Sequence, residues 1–410
     1  MISLLWIGFC LLVLGLLALD LGVFNRKAHE VSFGEAIAWT AFWIALALGF
    51  NVGVYFLYEN HWLGIGARIG HELTGAQAAL QFLTGYVIEK SLSLDNIFVI
   101  ALILGHFKVP LRLQHRVLFW GILGALVLRG LMIAAGAALI DRFDWIVYVF
   151  GALLIATAVK LMISRHETLD LERSPLVRLA RRLYPVASDF DDARFFTRLD
   201  GRRAITPLFL ALLVVEGSDV MFAVDSIPAI FAVTRDPFLV FTSNVFAILG
   251  LRSLYFALAA VMHRFRYLKM SLVFILSFVG VKMLLAHHHP IPTPISLAVI
   301  VGMLAVGVLA SLASARIEPS APVPPLGEDF EALAALTWRH ARKITILIVG
   351  GSLLIVGGVL CLIPGPGLPV IVLALIVLAT EFYWARRWLN FARERAKRAG
   401  ESLRRFKDKL

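Results

Sequence analysis

The sequence predicts an all-α membrane protein with about eleven transmembrane helices, and three observations lead to this fold class. Hydrophobic residues make up 60% of the 410 residues and charged residues only 16%, whereas soluble domains are close to half apolar and a quarter charged. Apolar windows of about 20 residues recur along the chain, each long enough to cross a bilayer. Basic residues are concentrated in every second loop between these windows. Together these features exclude a soluble fold and a disordered chain.

The apolar windows define the predicted helices in order. The first window lacks a basic leading segment and a small-residue cleavage site, so we expect it to stay in the protein as a membrane helix. Loops with glycine, proline or charged residues separate the others. The predicted helices cover residues 3–23, 36–57, 80–105, 117–138, 145–163, 206–233, 239–261, 268–286, 294–314, 343–362 and 367–384.

The charges of the loops predict the orientation of the chain. Lys and Arg residues follow the first, third, fifth, seventh and ninth predicted helices. The positive-inside rule therefore predicts an N-terminus outside and a C-terminus inside. The tail at 385–410 holds ten basic and three acidic residues, and so supplies +7 of the net charge of +11. Such a tail beside an apolar helix is typical of binding to anionic lipid, and we expect no nucleic-acid partner.

Two polar stretches divide the chain. Residues 164–205 mix both signs of charge and predict a cytoplasmic loop or short surface helices. Residues 318–327, EPSAPVPPLG, predict an extended spacer because they are rich in proline. The predicted domains are a transmembrane transport domain at 1–315, a cytoplasmic linker at 316–342, and a two-helix membrane module with the basic tail at 343–410.

An internal repeat carries most of the information about function. EKSLSLDNIF at 89–98 aligns with DVMFAVDSIP at 219–228, so that two acidic residues lie six positions apart in both. The helices that follow align as well. The two three-helix units, at about 80–164 and 206–286, run in opposite directions by the loop assignment, which is the inverted repeat of many secondary transporters. The equivalent residues are Glu89 and Asp219, Asp95 and Asp225, Arg129 and Arg252, and Lys160 and Lys282.

Ionisable side chains within the predicted helices indicate the site. A charged group in the membrane interior costs about 2.5–3.5 kcal/mol on insertion scales, so each one requires a role. Pro228 should kink or unwind its helix and bring Asp225 and a freed carbonyl to one point. Carboxylate, amide and carbonyl oxygens suit hard divalent cations such as Mn²⁺. The predicted metal ligands are Glu89, Asp95, Asn96, Glu216, Asp219 and Asp225.

An alternative is that these acids only pair with arginines and with each other to hold helices together. Arg129 and Arg252 lie deep in their helices and are better explained as counter-charges or gates than as ligands. Lys160 and Lys282, near helix ends, can extend to the membrane surface. Asp20 is explained equally well as a vestibule ligand and as a solvated residue at a helix end. The accessory candidates are Asp20, Ser226, Arg129 and Arg252.

Motifs of enzyme catalysis are absent from the sequence. It contains no G-x-S-x-G, H-E-x-x-H or P-loop pattern. Cys10 and Cys361 both lie in apolar runs, which excludes a disulfide framework and a CxxC metal site. His287–His289 can bind metal weakly, although a solvated loop explains them better. We therefore expect no enzyme and no prosthetic group, and transport without an ATPase module would be secondary or channel-like.

The motifs EKSLSLDNIFVI and EGSDVMFAVDSIPAIFAVTRDPFLVFTSNVFAILGLRSLYF resemble those of the TerC family of integral membrane proteins, over roughly residues 1–315. The resemblance implies a multi-pass protein of the bacterial inner membrane, associated with tellurium resistance and, in several members, with manganese export. It also implies that the acidic motif positions of the family correspond to the six predicted ligands, and Asp20 in ALDLGVF matches the first helix of the family.

The C-terminal stretch IPGPGLPVIVLALIVLATEFYWARRWL resembles a second family, the small PGPGW-type transmembrane proteins. Its Pro-Gly-Pro-Gly segment predicts a tight turn between two helices. Leu368 stands where that family has tryptophan, and the resemblance implies no function for this module.

The residues and the resemblance together predict a secondary exporter of divalent metal cations, above all Mn²⁺, with the lipid bilayer and the metal ion as its partners. The alternative is a non-transporting scaffold or assembly factor of a tellurite or metal stress-response complex, whose 164–205 loop and tail would bind other membrane or stress-response proteins. The predicted midplane site consists of Asp95, Asn96, Asp219 and Asp225, with Glu89 and Glu216 as flanking ligands or proton acceptors.

Overall fold

The computed structural model describes the helical body of the chain and short parts of its C-terminal region. The predicted linker lies outside the described residues except for its first two positions, and so do His287–His289 and most of the module at 343–410. The described residues are 2–22, 33–65, 72–163, 175–187, 189–192, 194–199, 201–259, 268–286, 290–317, 350, 354, 367–379 and 387–388.

Helices make up most of the described chain. A 3₁₀ turn at Trp62–Gly64 precedes the third helix. The helices in chain order are α1 (Ile2–Gly22), α2 (Phe33–Glu59), α3 (Gly75–His106), α4 (Leu111–Arg142), α5 (Ile146–Ile163), α6 (Pro175–Leu183), α7 (Pro207–Phe231), α8 (Pro237–Ile248), α9 (Leu251–Ala259), α10 (Leu268–Leu285), α11 (Thr293–Ile317) and α12 (Gly367–Ala379).

Local sequence signals explain where several helices begin. Thr74 caps α3, since its hydroxyl accepts from the Gln77 backbone N–H while the Gln77 side chain accepts from the Thr74 N–H. Asp236 caps α8 by accepting from the N–H groups of Phe238 and Leu239. Proline at the first position starts both α7 and α8, where its missing N–H costs no helical hydrogen bond.

Three of the described helices are long and apolar enough to cross a membrane, namely Gly34–Glu59 within α2, α4, and α7. The bent pair α8 and α9 counts as a fourth if it is one span. The eleven predicted spans and their orientation remain predictions. Shorter apolar helices cover Leu4–Leu19, Ile146–Met162, Met270–Leu285 and Thr293–Leu309.

The chain divides into two compact units. The first consists of residues 1–262 and 276–293 and holds α1 to α9 with the second half of α10. The second consists of residues 263–275 and 294–410 and holds the start of α10, α11 and α12. All the predicted site residues belong to the first unit.

Glycines on α4 allow α7 to pack closely against it. A Cβ on Gly121 would lie 3.2 Å from Val215, and one on Gly136 would lie 2.8 Å from Phe231. The later residue of α4 contacts the later residue of α7, so α4 and α7 run in the same direction.

Contacts of α3 establish its direction against the second repeat. A Cβ on Gly85 would lie 2.8 Å from Ser243 of α8 and 3.4 Å from Ile230 near the end of α7. Further along α3, Lys90 contacts Ala247, which lies further along α8. Hence α3 runs parallel to α8. Glu89, further along α3 than Gly85, shares the Nη1 atom of Arg129 with Ser226, which precedes Ile230 on α7. Hence α3 and α7 run in opposite directions, as an inverted repeat requires.

Two apolar clusters hold the first unit together. Aromatic rings from α1, α2, α3 and α8 form the first, in which the ring centroids of Phe50 and Phe246 lie 4.4 Å apart. The second joins the end of α3 and the start of α4 to α6, α7 and α9 through residues such as Leu104, Val117 and Leu208. On α3, Glu89, Asp95 and Asn96 lie between residues of the first cluster and residues of the second.

The predicted unwinding at Pro228 is wrong, whereas the kink predicted as its alternative stays a prediction. α7 continues through Pro228 to Phe231, since the proline lies in the last turn and the loss of one hydrogen bond there does not unwind the helix. A break occurs instead within the predicted helix 239–261, where α8 and α9 bend by 41°. Gly250 at this break has a φ of +80°, a left-handed conformation that favours glycine.

A small hairpin departs from the all-α prediction. Strands β1 (Phe196–Leu199) and β2 (Arg202–Ile205) pair antiparallel, with Leu199 opposite Arg202. Gly201 in the connecting turn has a φ of +76°. The Asp-Gly dipeptide at positions 200 and 201 was the signal for this hairpin, because two-residue hairpin turns favour it. In the same polar stretch, α6 is one of the predicted short helices.

Candidate functional site

One buried guanidinium joins the two repeats. Arg129 lies in α4 and is 1% exposed. Its Nε and Nη2 donate to Oδ2 and Oδ1 of Asp219, at 3.1 and 2.9 Å. Its Nη1 donates to Oε1 of Glu89. Since Glu89 and Asp219 are equivalent positions of the two predicted repeats, the structure brings together the acids that the sequence alignment matches.

The charges of this cluster explain why it tolerates burial. Glu89 is fully buried and the Asp219 side chain is 16% exposed. A buried carboxylate requires an opposite charge and hydrogen bonds, and a two-point contact between arginine and carboxylate supplies both. Two carboxylates share a single guanidinium here, which leaves a formal excess of one negative charge where α3, α4 and α7 meet.

Ser226 and Glu216 extend this cluster along α7. Ser226 Oγ accepts from Arg129 Nη1 at 3.4 Å. Glu216 precedes Asp219 by one turn, and its carboxylate lies over Gly124 of α4, where any Cβ would overlap it. Within the described residues, Oε2 of Glu216 has no hydrogen-bond partner. Gly124 thus makes room for an acidic side chain beside the arginine cluster.

Asp225 has a different neighbourhood. Thr157 Oγ1 of α5 donates to Asp225 Oδ1 at 2.7 Å. Lys160, one turn further along α5, acts on the same carboxylate electrostatically. Asp225 lies six residues beyond Asp219, about 9 Å along a continuous helix. The structure therefore keeps the two carboxylates apart, and the turn after Asp225 stays helical, so it does not offer the freed carbonyl that unwinding at Pro228 would have supplied.

The other predicted site residues lie elsewhere in the first unit. On α3, Asp95 is half-buried and Asn96 is 5% exposed, about two turns beyond Glu89. Arg252 is buried in α9, just after the bend. Asp20 is near the end of α1, and its side chain is outside the part that the structure describes.

The predicted ligands are thus divided among three neighbourhoods: the Arg129 cluster, the contact between Asp225 and Thr157, and the second half of α3. Among the described residues, no group of three or more His, Cys, Asp or Glu side chains is arranged to hold one metal ion. Metal binding by these residues stays a prediction.

Lys90 has a role that the sequence analysis did not assign. Its Nζ donates to the carbonyl oxygens of Ala247 and Leu249, at 3.1 and 3.4 Å. The last carbonyls of a helix lack intrahelical partners, and a cation there also opposes the helix dipole. Side-chain motifs cannot reveal such a contact because its acceptors are backbone atoms at a bend. Thr157 was also missed, although a threonine one turn before Lys160 was a usable signal.

A match to a protein family identifies the family of this chain. The profile described as "Integral membrane protein TerC family" matches residues 74–318, more than half of the chain. The chain belongs to the TerC family. The matched range includes the six predicted ligands, Arg129 and Arg252, but not Asp20. With its apolar helices, this TerC-family chain is a multi-pass membrane protein.

The match to curated relatives of this TerC-family chain covers nearly the whole length of those relatives. A Myxococcus xanthus protein named "Uncharacterized membrane protein STKORF319" is 51% identical over 316 residues, 77% of this chain and 94% of that protein. The Escherichia coli K12 protein named "Putative membrane-bound redox modulator Alx" is 47% identical over 302 residues, 73% and 92% of the two chains. No solved structure matches the chain.

A second profile matches the C-terminal region. The family described as "Putative transmembrane protein (PGPGW)" matches residues 343–395. The helix α12 lies within this range. The TerC-family chain therefore carries a PGPGW segment after its TerC region, as the sequence motifs predict.

Proposed function

We propose that this TerC-family protein is a secondary transporter that exports divalent metal cations, with Mn²⁺ as its substrate, across the bacterial inner membrane. The observation that carries the proposal is the meeting of Glu89 and Asp219 at the buried Arg129 guanidinium. Secondary transporters built from inverted repeats place their substrate sites between the repeats. Charged groups within a membrane are costly and mark such sites.

The acids of α7 supply a path for the ion. Glu216, Asp219 and Asp225 follow one another at about 4.5 and 9 Å along the helix axis. Because α7 is continuous, the ion moves between these carboxylates and is not held by all of them at once. Asp95 and Asn96 supply oxygen ligands from the first repeat. Carboxylate and amide oxygens suit Mn²⁺, which favours six oxygen ligands.

Alternating rocking of the two repeats would expose the ion to either side of the membrane. The carboxylates that lose the ion can accept protons, which would couple export to proton entry. Glu89 and Glu216 are the residues that we assign to this exchange, since they flank Asp219 on two different helices.

Transport by purified protein in liposomes tests this proposal. Wild-type protein should carry Mn²⁺ across the bilayer, measured by quenching of a trapped metal-sensitive dye. D219N and D225N keep the shape of each side chain and remove a charged ligand. We expect each to lower the Mn²⁺ flux by at least about tenfold, the effect of about 1.4 kcal/mol of lost binding.

The matched control is D141N, which removes an exposed acid at the end of α4. It should transport like the wild type. Wild-type flux in both D219N and D225N would contradict the site, and no flux of any divalent metal by the wild type would contradict transport. Retained binding of partner proteins in that second case would support the membrane scaffold.

A further inference from the structure

The Arg129 guanidinium contacts oxygens that a metal ion would need. It holds both oxygens of Asp219 and one oxygen of Glu89. A divalent ion that bound to these carboxylates beside the guanidinium would place like charges together in a buried site, where repulsion is strong. The guanidinium therefore has to leave at least one carboxylate before the ion binds to it.

A second acceptor for the guanidinium lies one turn away on the same face of α7. Glu216 precedes Asp219 by three residues, about 4.5 Å along the axis. Its carboxylate lies over Gly124, five residues before Arg129 on a helix that runs parallel to α7. Helical side chains lean toward the N-terminus of their helix, so the Arg129 side chain leans along α4 in the direction of Glu216.

The Glu216 carboxylate can accept from the guanidinium. It occupies the space that the missing side chain of Gly124 leaves, since a Cβ there would overlap it. Within the part of the chain that the structure describes, Oε2 of Glu216 has no hydrogen-bond partner. A buried carboxylate oxygen of this kind gains most from a charged donor. Glu216 is therefore a ready partner for Arg129.

We propose that Arg129 is a tethered counter-cation, which moves from Asp219 to Glu216 when a divalent ion binds to Asp219 and returns when the ion leaves. The inference rests on the proposed function and adds a release step to it, since the returning guanidinium competes with the ion. During the move Asp219 exchanges the arginine for the ion, and Glu216 gains the arginine. Arg129 is thus a positioning residue that sets how tightly the ion is held.

Two substitutions should change Mn²⁺ affinity in opposite directions. R129K keeps a cation but loses the two-point contact with Asp219, so it should tighten Mn²⁺ binding and slow Mn²⁺ release. E216Q removes the second acceptor, so it should weaken Mn²⁺ binding. Each change removes about one charge-assisted hydrogen bond, and we expect each dissociation constant to change about tenfold. E216D keeps the charge and should restore most of the wild-type affinity.

The experiment is a calorimetric titration of the full-length protein in nanodiscs with MnCl₂, followed by flux in liposomes. Opposite shifts in R129K and E216Q, with rescue by E216D, support the moving arginine. A wild-type dissociation constant in E216Q, or weaker binding in both variants, overturns it. If R129K does not fold, E216Q and E216D decide alone. Absence of wild-type flux contradicts the proposed function separately, because the binding constants still test the exchange of Arg129.

Discussion

The middle helices of the two repeats carry equivalent arginines but have different shapes. α4 runs without a break through Arg129, whereas its counterpart is divided into α8 and α9 by a 41° bend just before Arg252. The bend includes Gly250 with its left-handed backbone. The equivalent of Gly250 in the first repeat is Val127, which continues α4.

Lys90 contacts the bend between α8 and α9, and α4 has no such bend. It donates to the carbonyls of Ala247 and Leu249 at the bend. The equivalent of Lys90 in the second repeat is Val220, and α4 continues without a helix end that would need a cation. The comparison teaches that the two predicted repeats share the acid pair, the arginine and the second lysine. Their symmetry is lost where the backbone is broken and Lys90 of the other repeat completes the hydrogen bonds.

The largest effect should follow from making the bend resemble α4. In G250A, the left-handed conformation costs about 1–2 kcal/mol and the new methyl group meets Trp43, 2.6 Å from its Cγ. Overpacking of this kind adds about 1–3 kcal/mol. We expect a clear fall in the thermal unfolding midpoint in detergent. V127A at the equivalent, exposed position is the control, and equal midpoints for the two variants would contradict the role of Gly250.

A smaller effect should follow from removing the lysine that the second repeat lacks. K90M keeps the length of the side chain but leaves the carbonyls of Ala247 and Leu249 without their ammonium donor. Buried groups that lose a partner cost about 1–3 kcal/mol. The thermal midpoint should therefore fall below that of the control V220M. A K90M protein as stable as V220M would show that the lysine does not hold the bend.

The smallest effect should follow from making α5 resemble its counterpart α10. Val279 of α10 is equivalent to Thr157, so T157V removes the donor to Asp225 with little change of shape. The loss of this hydrogen bond should lower the free energy of unfolding by about 1 kcal/mol. Chemical denaturation of T157V, D225N and the double variant measures it. Additive effects of the two substitutions would mean that the hydrogen bond is not formed in solution.

Helices were predictable because they depend on local composition. The window 117–138 predicts the core of α4, and the helix extends to Leu111 and Arg142 because polar residues continue a helix as well as apolar ones. The shape of the helices was not predictable. Pro228 lies too close to the end of α7 to unwind it, whereas Gly250 bends the chain where Trp43 approaches its backbone.

The site was predictable in part. Alignment of the repeats matched Glu89 with Asp219, and their pairing with Arg129 is the alternative that the sequence left open. The separation of Asp225 from Asp219 followed from the continuity of α7, and its contact with Thr157 required the position of α5. These contacts depend on which helices pack together. Residue spacing within one helix carries no information about that packing.

By itself, the sequence determined that this is a helical membrane protein, and it predicts two similar three-helix units with acids, arginine and lysine in the same order. These features follow from hydrophobic length and charge, which act on each segment separately. Only the tertiary structure decided which acids share Arg129, where the second repeat bends, and what Lys90 holds. Buried charges and freed carbonyls must find partners across helices, and which partner is near depends on how the helices pack.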